Sequence, residues 1–245
     1  MEFTDLHIHA LCGVDDGARA ETDMHAMVDA SYADGVRMLC VTPHYHPGYF
    51  GENHEKAAVA FAALKRYAAG RYPDLELYLG NELRYSAGCV SWLSGGQCRT
   101  LNGTQYVLVD FFENAEAKTI LSGLDALLNA GYSPVLAHVE RYRSLWGQMR
   151  TIRSLPENGI LLQMDTQSVL GGFGFRVQRQ CKNLLHEGMV ELICSDSHDV
   201  RKRPPELSEC FWVIEKKYGQ TYAQALFCGN GKRLLHAGSS QEGSD

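Results

Sequence analysis

A closed parallel β/α barrel is the fold this sequence predicts, and three observations predict it. Apolar runs of strand length recur seven times along the chain. Segments with apolar residues at i, i+3 and i+4 separate most of them, and alternating strand and helix is the pattern of a parallel sheet with helices outside it. No Pro/Gly/Ser-rich linker interrupts the series, and 245 residues is an ordinary length for one barrel domain.

The first run, 2–6, leads into His7 and His9. Residues two apart on an extended chain face the same way, so two imidazoles project side by side from the strand end. Asp15 and Asp16 follow in a Gly-flanked turn able to fold back toward them. Met24, Met27, Val28 and Tyr32 then form a helical stripe, and the second run, 37–41, ends near His44. The third, 75–79, is followed by Glu82; the stretch 80–104 beyond it, with Gly88, Gly95, Gly96 and Gly103, reads as a short helix plus a connecting turn. The run 105–109 ends at Asp110, and a stripe of Leu121, Leu124, Leu127 and Leu128 precedes 134–137, which ends at His138. The run 159–164 leads to the polar turn Thr166 to Ser168, and 190–194 leads to Asp196 and His198. One domain over 1–236 is expected, with the small polar segment 237–245 as a flexible tail.

In a parallel barrel all strand C-termini open on one face. Nine side chains (five His, three Asp and one Glu, counting Asp16) therefore converge on one bowl. Each histidine alone reads most simply as a satisfied core or surface residue. Together they would be a costly accumulation of buried charge unless a cation offsets it. The eight cysteines include no C-x-x-C pair and read as reduced thiols of a cytosolic protein, with Cys40 and Cys194 as packing residues. The net charge of −6 gives no reason to expect nucleic acid as a partner, although Arg201, Lys202 and Arg203 together suit a single phosphate. No apolar run approaches the roughly 20 residues that cross a bilayer, so no membrane insertion is expected.

The motifs DLHIHALCGVDDGA, VTPHYHPG, GNELRY, PVLAHVERY, QMDTQSVLGGFG and CSDSHD with RKRPPEL resemble the PHP superfamily. Within it, the chain is similar to the manganese-dependent protein-tyrosine phosphatases of bacterial capsule and exopolysaccharide operons, the CpsB/CapC type. That resemblance implies a distorted (β/α)7 TIM-like barrel holding two to three divalent metals, manganese first, with iron or zinc also compatible with nitrogen and oxygen ligands. It implies His7, His9, Glu82 and Asp196 around a first metal. Glu82 would bridge to a second, completed by Asp110 and His138; Asp16, His44 and His198 would take a third. Asp110 departs from the family, which usually carries Glu there, and its shorter arm predicts a looser second site.

The activity implied is hydrolysis of phosphotyrosine, in the cytoplasm, on the tail of a polysaccharide-synthesis tyrosine kinase, by attack of a metal-bound hydroxide without a phospho-enzyme. Arg141 and Arg203 are the candidates to clamp the phosphate; otherwise they pair with nearby acids such as Glu140 or Glu206. His44 or a metal-bound water would protonate the leaving oxygen. Tyr45, His46, Tyr49 and Phe50, and Phe111, Phe112, Phe173 and Phe175, either flank the aryl ring or pack the rim. His25, His54, His186 and His236 read as solvated helix residues. The alternatives are a small-molecule phosphatase such as a histidinol-phosphatase, and a non-catalytic metal-binding regulatory barrel. Oligomeric state is not legible in the residues.

Overall fold

The structure, a computed structural model, describes residues 1–237; the expected tail lies, from 238 onward, outside the described residues. Among the described residues nine strands run β1 Phe3–Asp5, β2 Val36–Val41, β3 His44–Tyr45, β4 Glu76–Leu79, β5 Glu82–Arg84, β6 Tyr106–Asp110, β7 Ser133–Leu136, β8 Leu161–Asp165 and β9 Leu192–Cys194. Every pairing between them is parallel. They fall into a three-stranded sheet, β1-β2-β4, and a curled six-stranded sheet, β3-β5-β6-β7-β8-β9.

Nine strands make seven staves, because two staves are broken. Pro43 has no N–H to give the ladder, and it separates β2 from β3. Gly80 and Asn81 separate β4 from β5. The ladder still crosses both breaks, with Gly80 N–H donating to Val41 O at 2.9 Å and Glu82 N–H to Pro43 O at 3.1 Å. The last stave reaches the first through a parallel bridge between Ile8 and Ser197. His9 N–H donates to Ser197 O at 2.9 Å, and Asp196 N–H donates to His7 O at 2.8 Å. The breaks are the distortion; the ring is otherwise a parallel β/α barrel.

Strand alternation divides the core. Met38, Cys40, Leu108, Val135, Ala137, Leu192 and Cys194 pack inward, while Leu39, Val41, Val107, Val109, Leu136, Leu162 and Ile193 face the helices. The inner cluster is completed by Leu101 from a 3-10 turn and by Leu234 and Leu235 from the helix Asn230–His236. That helix closes the N-terminal end of the barrel and lies so near β1 that a methyl group at Gly231 would stand 2.8 Å from Thr4 Cγ2. The stretch 80–104 holds β5, a helix Cys89–Ser94 and the 3-10 turn Leu101–Gly103. Among the described residues no helix is long and apolar enough to cross a membrane, and all eight cysteines are free thiols.

Outside β1, Phe211 of the helix Leu207–Tyr218 packs with its ring centroid 5.4 Å from Phe3 and 5.6 Å from Phe227. Phe211→Ala is expected to destabilise the fold by about 3–5 kcal/mol, the usual cost of emptying a buried aromatic position. Chemical denaturation of the variant measures it.

Candidate metal centre

At the C-terminal end of the barrel the interior turns from apolar to ionisable. His7, His9, Glu82, Asp110, His138, Asp196 and His198 are all buried there, and His44 is nearly so. Two of these residues have left-handed backbones that only glycine adopts without strain, His138 at φ 36° and Asp196 at φ 49°. Strain of that kind persists where surrounding contacts over-determine it, and it gathers at functional sites.

The ligand-type atoms form three overlapping groups. In each, the atoms lie within 4.8 Å of one another: His7, His9 and Glu82; His44, Glu82 and Asp110; His9, Asp16, His44 and His198. His7 Nε2 and His9 Nε2 are 3.2 Å apart, and each lies 3.4 Å from Glu82 Oε2. Asp196 Oδ1 stands 3.3 Å from His7 Nε2 and 3.4 Å from His9 Nε2. His138 Nε2 meets Glu82 Oε1 at 3.0 Å. His44 lies between groups, with Nδ1 2.7 Å from Glu82 Oε2 and Nε2 3.6 Å from Asp16 Oδ1; His198 Nε2 is 3.4 Å from the same Asp16 oxygen. All nine residues singled out in the sequence thus meet in one bowl, and His44 contacts the Glu82 group as well as the Asp16 group.

Glu82 Oε2 and Asp110 Oδ1 are buried without a hydrogen-bond donor. Orphaned carboxylate oxygens facing imidazole nitrogens fit a divalent cation, which takes both ligand types. The charges say the same. Burial opposes a charge on His7, but Glu82 and Asp196 outweigh it and lift the pKa to about 9. Burial and the neighbouring Glu82 push Asp110 up to about 8. Against its own burial, Glu82 is held well below the carboxylate range by His44 and His7. A divalent cation would supply the positive charge that these carboxylates draw from the imidazoles.

A second layer orients the first. His9 Nδ1 and Asp15 Oδ2 are 2.7 Å apart, and Asp15 also accepts from the N–H groups of His44 and Gly17. Gln163 Oε1 faces His7 Nδ1 at 3.2 Å and accepts from His138 N–H at 2.9 Å. Asp5 accepts from Ser195 Oγ at 2.6 Å and from the N–H groups of Ser195 and His7. With Nδ1 turned to an acceptor, His7 and His9 present Nε2 to the cluster. Gly17 is needed for this closeness, since a Cβ there would fall 1.9 Å from His9 O.

Three guanidiniums close the bowl. Arg141 pairs with Asp165 and, at 2.9 Å, with Asp196 Oδ2, and it lies 4.1 Å over the Phe173 ring. Arg203 pairs with Asp196. Arg84 holds Asp110 Oδ2 at 2.8 Å and lies over Phe112. Neither Arg141 nor Arg203 takes the neighbouring Glu140 or Glu206 as its partner; both turn to Asp196. With His44, Glu82, Asp110 and His138 they line a cavity of about 90 Å³. The sequence reading missed Arg84, Gln163, Asp165, Asp5 and the bracing role of Asp15. Arg84 and Asp165 carried a usable signal: one lies two residues beyond Glu82 on the same strand, and the other ends β8 as Asp110 ends β6.

The candidate aromatics divide. Tyr45 and Phe111 are core residues, and Phe50 stacks on His44 at 5.3 Å. Tyr49, Phe112, Phe173 and Phe175 remain exposed. His54, read as solvated, is instead held between Gln97 O and the Arg99 guanidinium, at 2.9 and 2.8 Å. His25 stacks on Tyr67.

The family described as capsular polysaccharide synthesis, CpsB/CapC, matches residues 3–236. The chain belongs to the CpsB/CapC family. Among relatives of this CpsB/CapC chain, the tyrosine-protein phosphatase CpsB of Streptococcus agalactiae serotype III is 30% identical over 236 residues, 94% of this chain and 97% of the relative. The tyrosine-protein phosphatase YwqE of Bacillus subtilis is 31% identical over 218 residues, covering 88% and 85%. A solved structure from work on YwqE of Bacillus subtilis and CpsB of Streptococcus pneumoniae, described as unique metal-dependent tyrosine phosphatases, superposes with a TM-score of 0.87. Its identity is 28%, over 96% of this chain and 94% of that one. A histidinol phosphatase HisK candidate from Listeria monocytogenes, 12% identical with a TM-score of 0.51, shares the fold.

The raised pKa values give a pH signature. A folded His7 at about 9, against 6.5 unfolded, contributes stability that is complete below pH 6.5 and lost as pH rises through 9. Asp110, raised from 3.8 to about 8, loses its contribution on ionising in the same direction. The Tm of metal-free CpsB/CapC protein is expected to fall between pH 6.5 and 9, and added divalent metal to restore it. A thermal-shift titration with and without metal reads both.

Proposed function

We propose that this chain is a metal-dependent phosphoric monoester hydrolase that removes phosphate from phosphotyrosine. The single observation that carries this is the shared cavity: imidazole and carboxylate ligand atoms line it together with Arg84, Arg141 and Arg203. One wall suits divalent cations, and the other suits the oxygens of a phosphate. When bound, divalent cations lower the pKa of water and neutralise phosphoryl charge, which are the two demands of monoester hydrolysis.

His7, His9, Glu82 and Asp196 would hold the first cation. Glu82, Asp110 and His138 would hold the second, with His44 beside them, and Asp16, His44 and His198 the third. Manganese is the proposed metal on the family resemblance; imidazole and carboxylate donors without thiolate admit it, and iron or zinc equally. Arg141 and Arg203 hold the substrate phosphate in line and offset its charge; both are anchored on Asp196, so ligand and clamp move as one unit. The phenolate of tyrosine, with a pKa near 10, leaves with modest help. Exposed Phe112 and Phe173, each beneath an arginine, flank the mouth where the aryl ring would sit. The proposed substrate is the tyrosine-rich tail of a polysaccharide-synthesis tyrosine kinase, in the cytoplasm; the relatives' names support its phosphotyrosine and the family's description its link to capsular polysaccharide synthesis.

His44→Ala and Asp196→Asn are each expected to lower hydrolysis of a phosphotyrosine peptide by more than about 100-fold, beyond the usual range for second-layer changes. Unchanged rates would remove the bowl as the catalytic site. Turnover on histidinol phosphate an order of magnitude above that on the peptide would replace the substrate reading.

A further inference from the structure

Beside the bowl lies a much larger groove of about 530 Å³ to which no role has been given so far. Asp16 and His198 form its inner end, so it opens directly from the metal centre. Its rims come from two separate segments: Arg19, just after the DDGA turn, and Arg201 and Lys202, just after His198. All three are exposed. Among the described residues, none has a carboxylate within ion-pair distance.

Each acid in the groove has one oxygen engaged locally. Asp199 Oδ1 accepts from Arg201 N–H at 2.6 Å and from Lys202 N–H at 2.5 Å, which fixes the loop that presents both cations. Asp23 Oδ2 accepts from the N–H groups of Arg19 and Ala20, at the start of the helix Glu21–Ala33. Asp16 Oδ1 faces His44 and His198. Gln167 Nε2 donates to Lys202 O at 2.9 Å, tying the loop to the barrel. The backbone is therefore pinned by its acids, while the three cationic heads point away from any ion-pair partner among the described residues, Lys202 keeping only a longer-range attraction to Asp199. The run Arg201-Lys202-Arg203 splits at this point: Arg203 turns inward to Asp196, and its two neighbours turn to the groove.

We infer that this groove is a second anionic subsite, which selects substrate chains carrying a negative group beside the phosphotyrosine bound in the bowl. The inference rests on the protein-phosphatase reading above. Two groups share the required chemistry: an Asp or Glu side chain, and a second phosphotyrosine. Free guanidinium and ammonium groups on opposite rims bind either through charge-assisted hydrogen bonds. Such contacts raise affinity and leave the chemical step alone, so they act on KM.

The test uses the metal-loaded enzyme and four matched peptides, each with one scissile phosphotyrosine: neutral flanks, Asp flanks, lysine flanks, and a nearby non-hydrolysable phosphonate analogue of a second phosphotyrosine. The wild type is expected to show a KM about tenfold lower for the anionic peptides than for the neutral one, the scale of a few solvent-exposed charge contacts. The variant Arg19→Ala, Arg201→Ala, Lys202→Ala should erase that difference. Its kcat, and its rate on p-nitrophenyl phosphate, should match the wild type. A preference for the phosphonate peptide over the Asp peptide assigns the subsite to phosphate, and equal preference assigns it to anions at large. Should the triple variant fail to fold, Arg201→Glu paired with the lysine-flanked peptide asks the same question, with a lowered KM expected. Equal KM for all peptides in the wild type, or a preference that survives in the variant, overturns the subsite alone. Cleavage of p-nitrophenyl phosphate but of no peptide overturns the protein-substrate reading and the subsite with it.

Discussion

Mutual repulsion among buried acids is the constraint on which the rest of the structure depends. Glu82, Asp110 and Asp196 are almost wholly removed from water and lie within a few ångströms of common neighbours. Nothing in an apolar barrel tolerates that arrangement unless positive charge is threaded through it. The fold supplies imidazoles from four stave ends and guanidiniums from three more positions, and the unsatisfied oxygens on Glu82 and Asp110 mark where that supply stops short. Anchoring the acids then falls to neutral or singly charged groups one layer out. Gln163 serves two histidines at once, Asp15 braces a ring and two backbone amides, and Asp5 ties the first stave to the last. The left-handed backbones of His138 and Asp196 fit the same logic, since strain is held only where many contacts agree.

Much of this was legible before any coordinates. All seven predicted apolar runs are staves, because buried parallel strands leave an uninterrupted apolar signature that survives without context. The ligand positions were legible for a topological reason: in a parallel barrel, the residue after a strand is on the functional face whatever its distance in sequence. What stayed hidden depended on direction within a turn or on a partner far away. Asp15 and Asp16 are adjacent and chemically identical, yet one is swallowed behind His9 and the other faces the groove. Gln163 and Asp5 look like ordinary strand polar residues until the staves that they brace are brought beside them. The breaks at Pro43 and Gly80 divide two staves that composition alone reads as a strand followed by a loop.

Cation–π contact links the bowl to its rim. Arg141 and Arg84 each lie against an aromatic face that is itself open to solvent, Phe173 and Phe112. Flat guanidiniums stacked in this way keep their hydrogen-bonding edges free and lose little rotamer freedom when a ligand arrives. The exposed aromatics thus have a mechanical role that burial statistics alone would present as a defect of packing.

The helix Asn230–His236 plugs the barrel from below, and Thr4 Oγ1 donates to Cys228 O across 224 residues of chain. Segments more than 200 residues apart are therefore structural neighbours, and the barrel interior lacks two of its leucines until this helix docks. A nascent chain emerging from the ribosome can assemble the middle staves early, but it cannot seal its own floor while that helix is still in the exit tunnel. Sealing the floor requires a contact of very large sequence separation, and loop-closure entropy makes such contacts slow to form. Until then the half-built cylinder exposes apolar surface to whatever holds unfinished chains in the cell.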